Sequence, residues 1–282
     1  MMNMITLNDV IEYSENNNAG IGMFNIVNLE FAKAIFDAVQ ETKVPAMLGV
    51  PERFFLQEFY DVDSIAAACA ALANQGGTPV ALHLDHGKSF DGVMKALKAG
   101  FSSVMFDGSL LDYEDNIAQT KEIVKIAHAM GVSVEGELGY VGSTATDEAT
   151  EDGFTSPEQA QDFAERTGVD ALAVAIGNQH GIYKGVPKLD FERLAAIKSK
   201  VKCGLVLHGG SGISESDFVK AIDYGVSKIN IYTAMDVAAK KLNNEEFGNF
   251  ATYLDYTKVL TQTVKDVVKD HILLFAKKRA AR

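Results

Sequence analysis

Three of the six histidines in this chain, His86, His180 and His208, fall where short apolar runs give way to polar, glycine-rich turns. Neutral imidazole is a good ligand for a divalent cation, and three such nitrogens leave Zn2+ one open coordination position for a substrate or water. Asp85 stands beside the first of them, where a carboxylate stays ionised near a cation. Two roles are open to it: a general base at neutral pH, or support for the His86 ring. Asp107 and Glu137 end neighbouring apolar runs and are placed either to hold a metal in another position or to orient the imidazoles. The run at Gly204–His208 leads into Gly209-Gly210-Ser211-Gly212 just before a helix start. Successive glycines there let backbone N–H groups face an anion, and the helix N-terminus adds partial positive charge. Asn230 and Thr233 end the next run. His83 lies inside a run and reads as a core histidine, whereas His128 and His271 read as structural or exposed.

These groups can meet only if the elements carrying them are arranged around one mouth. Apolar or β-branched runs predict strands at 20–26, 46–50, 80–86, 103–107, 132–138, 171–176, 204–208 and 228–232, each followed by a stretch with helical spacing. After the fourth run, Ile117, Thr120, Val124 and Ala127 recur three or four apart, and Gly131 follows. Ser156-Pro157-Glu158-Gln159 is a helix start with a hydroxyl cap and proline at the first helical position, and Gly168 stops that helix. Ser214 opens another, with Glu215 and Asp217 in its first turn, and Gly225 ends it. Alternating strands and helices imply a parallel sheet, and eight units imply an α/β protein, a closed (β/α)8 TIM barrel. An open doubly wound sheet more often carries a glycine-rich turn after its first strand, whereas here the first run leads into Asn25-Ile26-Val27-Asn28. In a barrel the strand C-termini form the active face, and the loops after strands seven and eight recurrently bind phosphate. The tail from about Glu245 reads as extra C-terminal helices, with Val259, Val264, Val267 and Val268 suggesting packing, another subunit being one candidate cover. Residues 1–282 are expected to form a single domain.

Composition narrows the partners. A net charge of −12 argues against binding a nucleic-acid backbone, so an anionic ligand must be held locally by metal, backbone N–H groups or helix ends. No apolar run is long enough to span a bilayer, and no membrane partner is expected. The start, Met1 to Asn8, lacks the order of a secretory signal, and two cysteines, Cys69 and Cys203, make no disulfide framework. A cytoplasmic location follows as the expectation.

One family carries these residues in this order. The chain resembles the class II, zinc-dependent ketose-bisphosphate aldolases, which include the fructose- and tagatose-bisphosphate enzymes, from about Ile21 through Thr233. The likeness is densest in His83-Leu84-Asp85-His86-Gly87, Gly100 to Met105, Asp107-Gly108-Ser109, Asn116-Ile117 and Val134 to Gly139. It continues in His180-Gly181-Ile182-Tyr183 and Val206 to Gly212. The resemblance implies that His86, His180 and His208 bind the catalytic Zn2+, and that Asp107 and Glu137 match positions holding a second or displaced metal. It implies that Asp85 donates and accepts the proton, and that Gly181, Gly209, Gly210, Ser211, Asn230, Ile231, Tyr232 and Thr233 bind dihydroxyacetone phosphate, often with a monovalent cation, Na+ or K+. Relatives are dimers or tetramers, so a homodimer or homotetramer is expected. The implied reaction cleaves or forms the C3–C4 bond of a phosphorylated ketose, giving dihydroxyacetone phosphate and an aldehyde such as glyceraldehyde 3-phosphate.

Departures accompany the likeness. Gly49 and Pro51 stand where relatives often have Gln and Ser, which opens the alternative of a sugar-phosphate-binding barrel with altered specificity or no turnover. After the fifth strand, Gly142-Ser143 replaces a family motif containing the acid that protonates the enediolate, and Asp147, Glu148, Glu151 and Asp152 come later. A lysine Schiff base is the other aldolase solution, but Lys228 is read at the start of its strand, at the wrong end of the barrel, and Lys88 and Lys184 lie in loops.

Overall fold

In the computed structural model, which describes residues 4–56, 61–139, 141, 153–183 and 185–279, eight parallel strands close into a barrel in sequence order. They are β1 (Ile21–Asn25), β2 (Ala46–Pro51), β3 (Val80–Gly87), β4 (Ser103–Phe106), β5 (Ser133–Leu138), β6 (Ala171–Val174), β7 (Gly204–Leu207) and β8 (Val226–Ile231). Parallel pairing of β1 with β8 completes the ring. Because helices cover the outside and side chains fill the inside, nearly every strand residue is buried, which is why the strands read as continuous apolar runs rather than alternating ones.

The helices are α1 (Leu7–Asn17), α2 (Leu29–Thr42), α3 (Arg53–Leu56), α4 (Val62–Ala73), α5 (Phe90–Ala99), α6 (Tyr113–Ala129), α7 (Pro157–Thr167), α8 (Phe191–Lys200), α9 (Glu215–Asp223), α10 (Thr233–Glu246) and α11 (Tyr253–Phe275). The punctuation in the sequence acts as expected. Ser156 accepts from the Gln159 N–H at the start of α7, and Ser214 does the same for Asp217 in α9. Gly100 and Gly168 close their helices in the left-handed region, at φ 91° and 73°. In α6, Ile117, Thr120, Val124 and Ala127 form the buried face.

Helix α1 carries a reciprocal cap between Thr6 and Asp9 and closes the bottom of the barrel. The backbone N–H of Asn8 donates to Ser133 Oγ at the start of β5, and the Asn8 amide reaches Asp170 just before β6. Only the opposite mouth, at the strand C-termini, is left for chemistry.

The C-terminal helices decide where the tail valines pack. Val264 and Val268 of α11 are fully buried within this chain, so their packing needs no second subunit. Helix α11 lies against α2, where Lys265 and Lys269 both pair with Glu41, and against α9, where Phe275 meets Phe218 with ring centroids 5.0 Å apart. It thus fills the eighth outer position of the barrel, with α10 interposed after β8.

Candidate active site

In an extended strand successive side chains point to opposite faces, so Asp85 and His86 should not both face the mouth. They do because β3 breaks its register with β4 between Leu84 and Gly87, and His86 takes a left-handed backbone at φ 47°. The next residue must be small, since a Cβ on Gly87 would stand 2.4 Å from the Met105 carbonyl oxygen.

His86 is the centre of the cluster. Its Nε2 lies 3.2 Å from His180 Nε2, on the loop after β6, and 3.2 Å from His208 Nδ1, just after β7. Nitrogens bound tetrahedrally to Zn2+ at about 2.0–2.1 Å are separated by about 3.3–3.4 Å, so the spacing fits a shared ion. His86 Nδ1 meets Asp107 Oδ2 at 2.9 Å, which leaves Nε2 to face the other two rings. The same nitrogen is 3.8 Å from Glu137 Oε2, a buried oxygen without a hydrogen-bond partner among the described residues. His86, Asp107 and Glu137 therefore make a second group able to hold a metal.

Electrostatics distinguish the three imidazoles. Burial works against charge on His86, but the carboxylates of Asp85, Asp107 and Glu137 outweigh it and push the ring up to about 9. Burial takes His180 down to about 4, helped by the neighbouring His86 charge, and drives His208 well below the usual range for the same reasons. Of the three rings, His86 alone is thus held in its charged form, in the place a divalent cation suits better. Burial and the Asp107 charge hold the Glu137 carboxyl well above its ordinary value. For Asp107, burial is overcome by the hydrogen bond and charge of His86, and its carboxyl is lowered.

Asp85 is buried beside this group. Asn25 Nδ2 donates to its Oδ2 at 2.8 Å, and Asn230 Nδ2 to its Oδ1 at 3.2 Å. Burial would raise its carboxyl, yet the neighbouring His86 charge above all, with Lys228 and the Asn25 amide, lowers it, keeping the group ionised. Beneath it, the barrel interior holds His83, Ser103, Glu135 and Lys228, all fully buried. His83 is the core histidine expected, with Nδ1 2.8 Å from Ser103 Oγ. Lys228 corrects the sequence reading. Val226 and Ser227 precede it in β8, and its Nζ reaches up to Glu135 Oε2 and Asn230 Oδ1, each 2.8 Å away.

The glycine turn after β7 is packed against the loop after β6. Gly209 has φ 63°, and a Cβ on it would stand 2.1 Å from the Gln179 carbonyl oxygen. Gly210 N–H donates to the Asn230 carbonyl, and Ser211 Oγ accepts from Ala234 N–H in the first turn of α10. Gly181, at φ 101°, follows His180 on the β6 loop. Tyr183 ties the two loops together: its hydroxyl accepts from Gln179 N–H at 2.8 Å and donates to the Gly209 carbonyl at 3.0 Å. Asn178 adds a second tie, donating to the His208 carbonyl at 3.1 Å. Ile231 ends β8 with its side chain in the core, Tyr232 precedes α10, and Thr233 is the first residue of that helix rather than the end of the strand.

Sequence reasoning gave no role to Asn25, Tyr183, Asn178 or Glu52. Glu52 accepts from the Lys88 N–H at 2.6 Å and from the Ser89 hydroxyl, fixing the turn that follows His86 and Gly87. For Lys228 a signal existed, since it lies two residues from Asn230 and must share its face. Gly49 has a packing reason: a Cβ there would meet Met23 Sδ at 2.0 Å. Gly142-Ser143, Asp147, Glu148, Glu151 and Asp152 lie outside the described residues.

Comparison with known proteins points the same way. The family model described as "Fructose-bisphosphate aldolase class-II" matches residues 5–279. A fructose-bisphosphate aldolase of Staphylococcus aureus is 39% identical over 288 residues, spanning 100% of both chains. That of Thermus caldophilus is 38% identical over 301 residues, covering 96% of this chain and 98% of its own. Among solved structures, the YdjI aldolase from Escherichia coli K12 superposes with a TM-score of 0.86 at 34% identity, covering 96% of this chain and 97% of that one.

Proposed function

Because this chain belongs to the class II fructose-bisphosphate aldolase family, we propose that His86, His180 and His208 hold a catalytic Zn2+ and that Asp85 is the general base of C3–C4 cleavage. One observation carries the reading: nitrogens of His180 and His208 each lie 3.2 Å from His86 Nε2, beside a buried, ionised carboxylate. When bound there, a divalent cation supplies a Lewis acid for the ketose oxygens. Asp85 takes the C4 hydroxyl proton as the C3–C4 bonding pair moves to C3, leaving an aldehyde and the enediolate of dihydroxyacetone phosphate. The Asn230 amide, aimed from β8 at Asp85, is placed to donate to the developing oxyanion. Gly181, Gly209, Ser211 and the chain from Asn230 to Thr233 offer backbone N–H groups and a helix N-terminus to the substrate phosphate, with Gly210, whose N–H is taken by the Asn230 carbonyl, lining the turn. Asp107 and Glu137 orient His86 or take the ion when it moves aside. A monovalent cation, Na+ or K+, beside the phosphate rests on the family resemblance.

At the end of β2, Pro51 pairs in register with Asp85 and brings no side-chain donor, which supports altered contacts to the aldehyde fragment. Residues 1–282 are read as one domain. Free Cys69 and Cys203 support a reducing, cytoplasmic setting. Exposed Phe247, Tyr253 and Leu254 beside the α10–α11 junction support a homodimer or homotetramer. The test is triose-phosphate release from a panel including fructose and tagatose 1,6-bisphosphates, before and after chelation. Release should stop on metal removal and return with Zn2+; turnover by fully stripped protein refutes the reading.

A further inference from the structure

Barrel interiors are normally filled by layers of branched apolar side chains, yet this one contains a lysine and a glutamate with no exposure at all. Burying such a pair gains little stability over an apolar pair of the same volume, because desolvation offsets the attraction. Its contacts suggest what it does instead. Glu135 Oε2 is 2.8 Å from Lys228 Nζ, and Glu135 Oε1 is 2.8 Å from His208 Nε2. His208 donating Nε2–H to that carboxylate has its Nδ1 lone pair left for the His86 side, where the three imidazoles meet. On its other side Lys228 donates to Asn230 Oδ1 at 2.8 Å. An amide whose oxygen faces an ammonium must turn its NH2 the other way, which is where Asp85 Oδ1 lies, 3.2 Å off. If Asn230 flipped, its oxygen would face the Asp85 carboxylate.

We propose that the Lys228–Glu135 pair is a positioning device for both halves of the active site. Glu135 fixes the tautomer and aim of His208 toward the metal, and Lys228 fixes the Asn230 amide toward Asp85 and the reacting oxygen. Both residues act through their neighbours, and neither touches substrate. The inference rests on the assignment of His208 to the metal and Asn230 to the oxyanion.

Two variants of the full chain separate the halves. Glu135→Gln leaves Lys228 donating to Asn230. Lys228→Met/Glu135→Gln removes both charges at nearly constant volume, so no buried charge is stranded. Zinc affinity is measured on metal-stripped protein against a chromophoric chelator, kcat and KM with fructose 1,6-bisphosphate at saturating Zn2+, and folding by thermal melting. Glu135→Gln should bind Zn2+ about 10- to 100-fold more weakly while keeping kcat within about threefold at saturating metal. The double variant should lose a further tenfold or more in kcat, with KM little changed, because the Asn230 contact strengthens in the transition state. Parental zinc affinity in Glu135→Gln overturns the proposal, and does so even if the double variant does not fold. So does a folded double variant with the kcat of Glu135→Gln. A parent that binds no Zn2+ sinks the metal assignment itself, a result distinct from either.

Discussion

Tyr183→Phe isolates the contribution of a single oxygen to the active mouth. The ring would remain, still packed against Gly212, whose ideal Cβ position is 2.9 Å from Tyr183 Cδ2. Only the hydroxyl leaves, and with it the bonds from Gln179 N–H and to the Gly209 carbonyl. A neutral hydrogen bond contributes about 0.5–1.5 kcal/mol net, so the two together are worth about 1–3 kcal/mol. Those bonds join the residue preceding His180 to the glycine that opens the turn proposed to hold the phosphate. Their loss should therefore loosen substrate binding more than it slows the chemical step. At 1.4 kcal/mol per factor of ten, the ceiling is a rise in KM of about 5- to 150-fold with kcat changed little. Steady-state kinetics with fructose 1,6-bisphosphate and zinc competition on the stripped protein read the two loops separately. Tyr113→Phe is the control, because Tyr113 also uses its hydroxyl, toward Asp162 at 2.8 Å, but on the outer surface. If Tyr183→Phe lowers the melting temperature yet leaves KM and zinc affinity within twofold of the parent, the hydroxyl merely stabilises the fold and the argument is refuted.

Asp85→Asn preserves shape and belongs to neither group of candidate metal ligands, so zinc affinity should hold while kcat falls about 10²- to 10⁴-fold. Near-parental turnover by this variant removes Asp85 as the base. Away from the site, hydrogen bonds from Lys265 and then Lys269 hold the Glu41 carboxyl down to about 2, against an ordinary 4.5. A carboxyl lowered by folding stabilises the protein above its unfolded value and loses that effect as pH falls through the folded one. The melting temperature of the parent should therefore exceed that of Glu41→Gln at pH 6, with the gap closing between about pH 4.5 and 2; a gap unchanged at pH 3 contradicts the clamp between α2 and α11.

The barrel was legible because its signals are local. All eight strands lie within one or two residues of the apolar runs that announced them, and Ser156, Ser214, Gly100 and Gly168 act as the caps their types suggest. The eighth strand was cut short at Lys228 because a charge in an apolar run looks like a boundary, and the carboxylate that neutralises it comes from β5, far away in sequence. Helix α1 went unread although its Thr6–Asp9 capping pair was present. The tail valines were legible as packing residues, but an apolar stripe does not say whether its cover comes from its own chain or another. At the site, His86, His180 and His208 could be found from their places at strand ends. Asn25, Tyr183 and Asn178 could not, since each acts on a partner brought near only by closure of the ring.

A left-handed histidine has a consequence for how an ion is received. Backbone of that kind costs about 1–2 kcal/mol for a residue with a side chain, and at His86 it is held by β3, by the snug Gly87 and by the turn that Glu52 anchors. The direction of the ring is thus set by the backbone that carries it. Any ion that the three imidazoles hold must therefore meet this spoke where the strand points it, and the two loop histidines must come to it rather than the reverse.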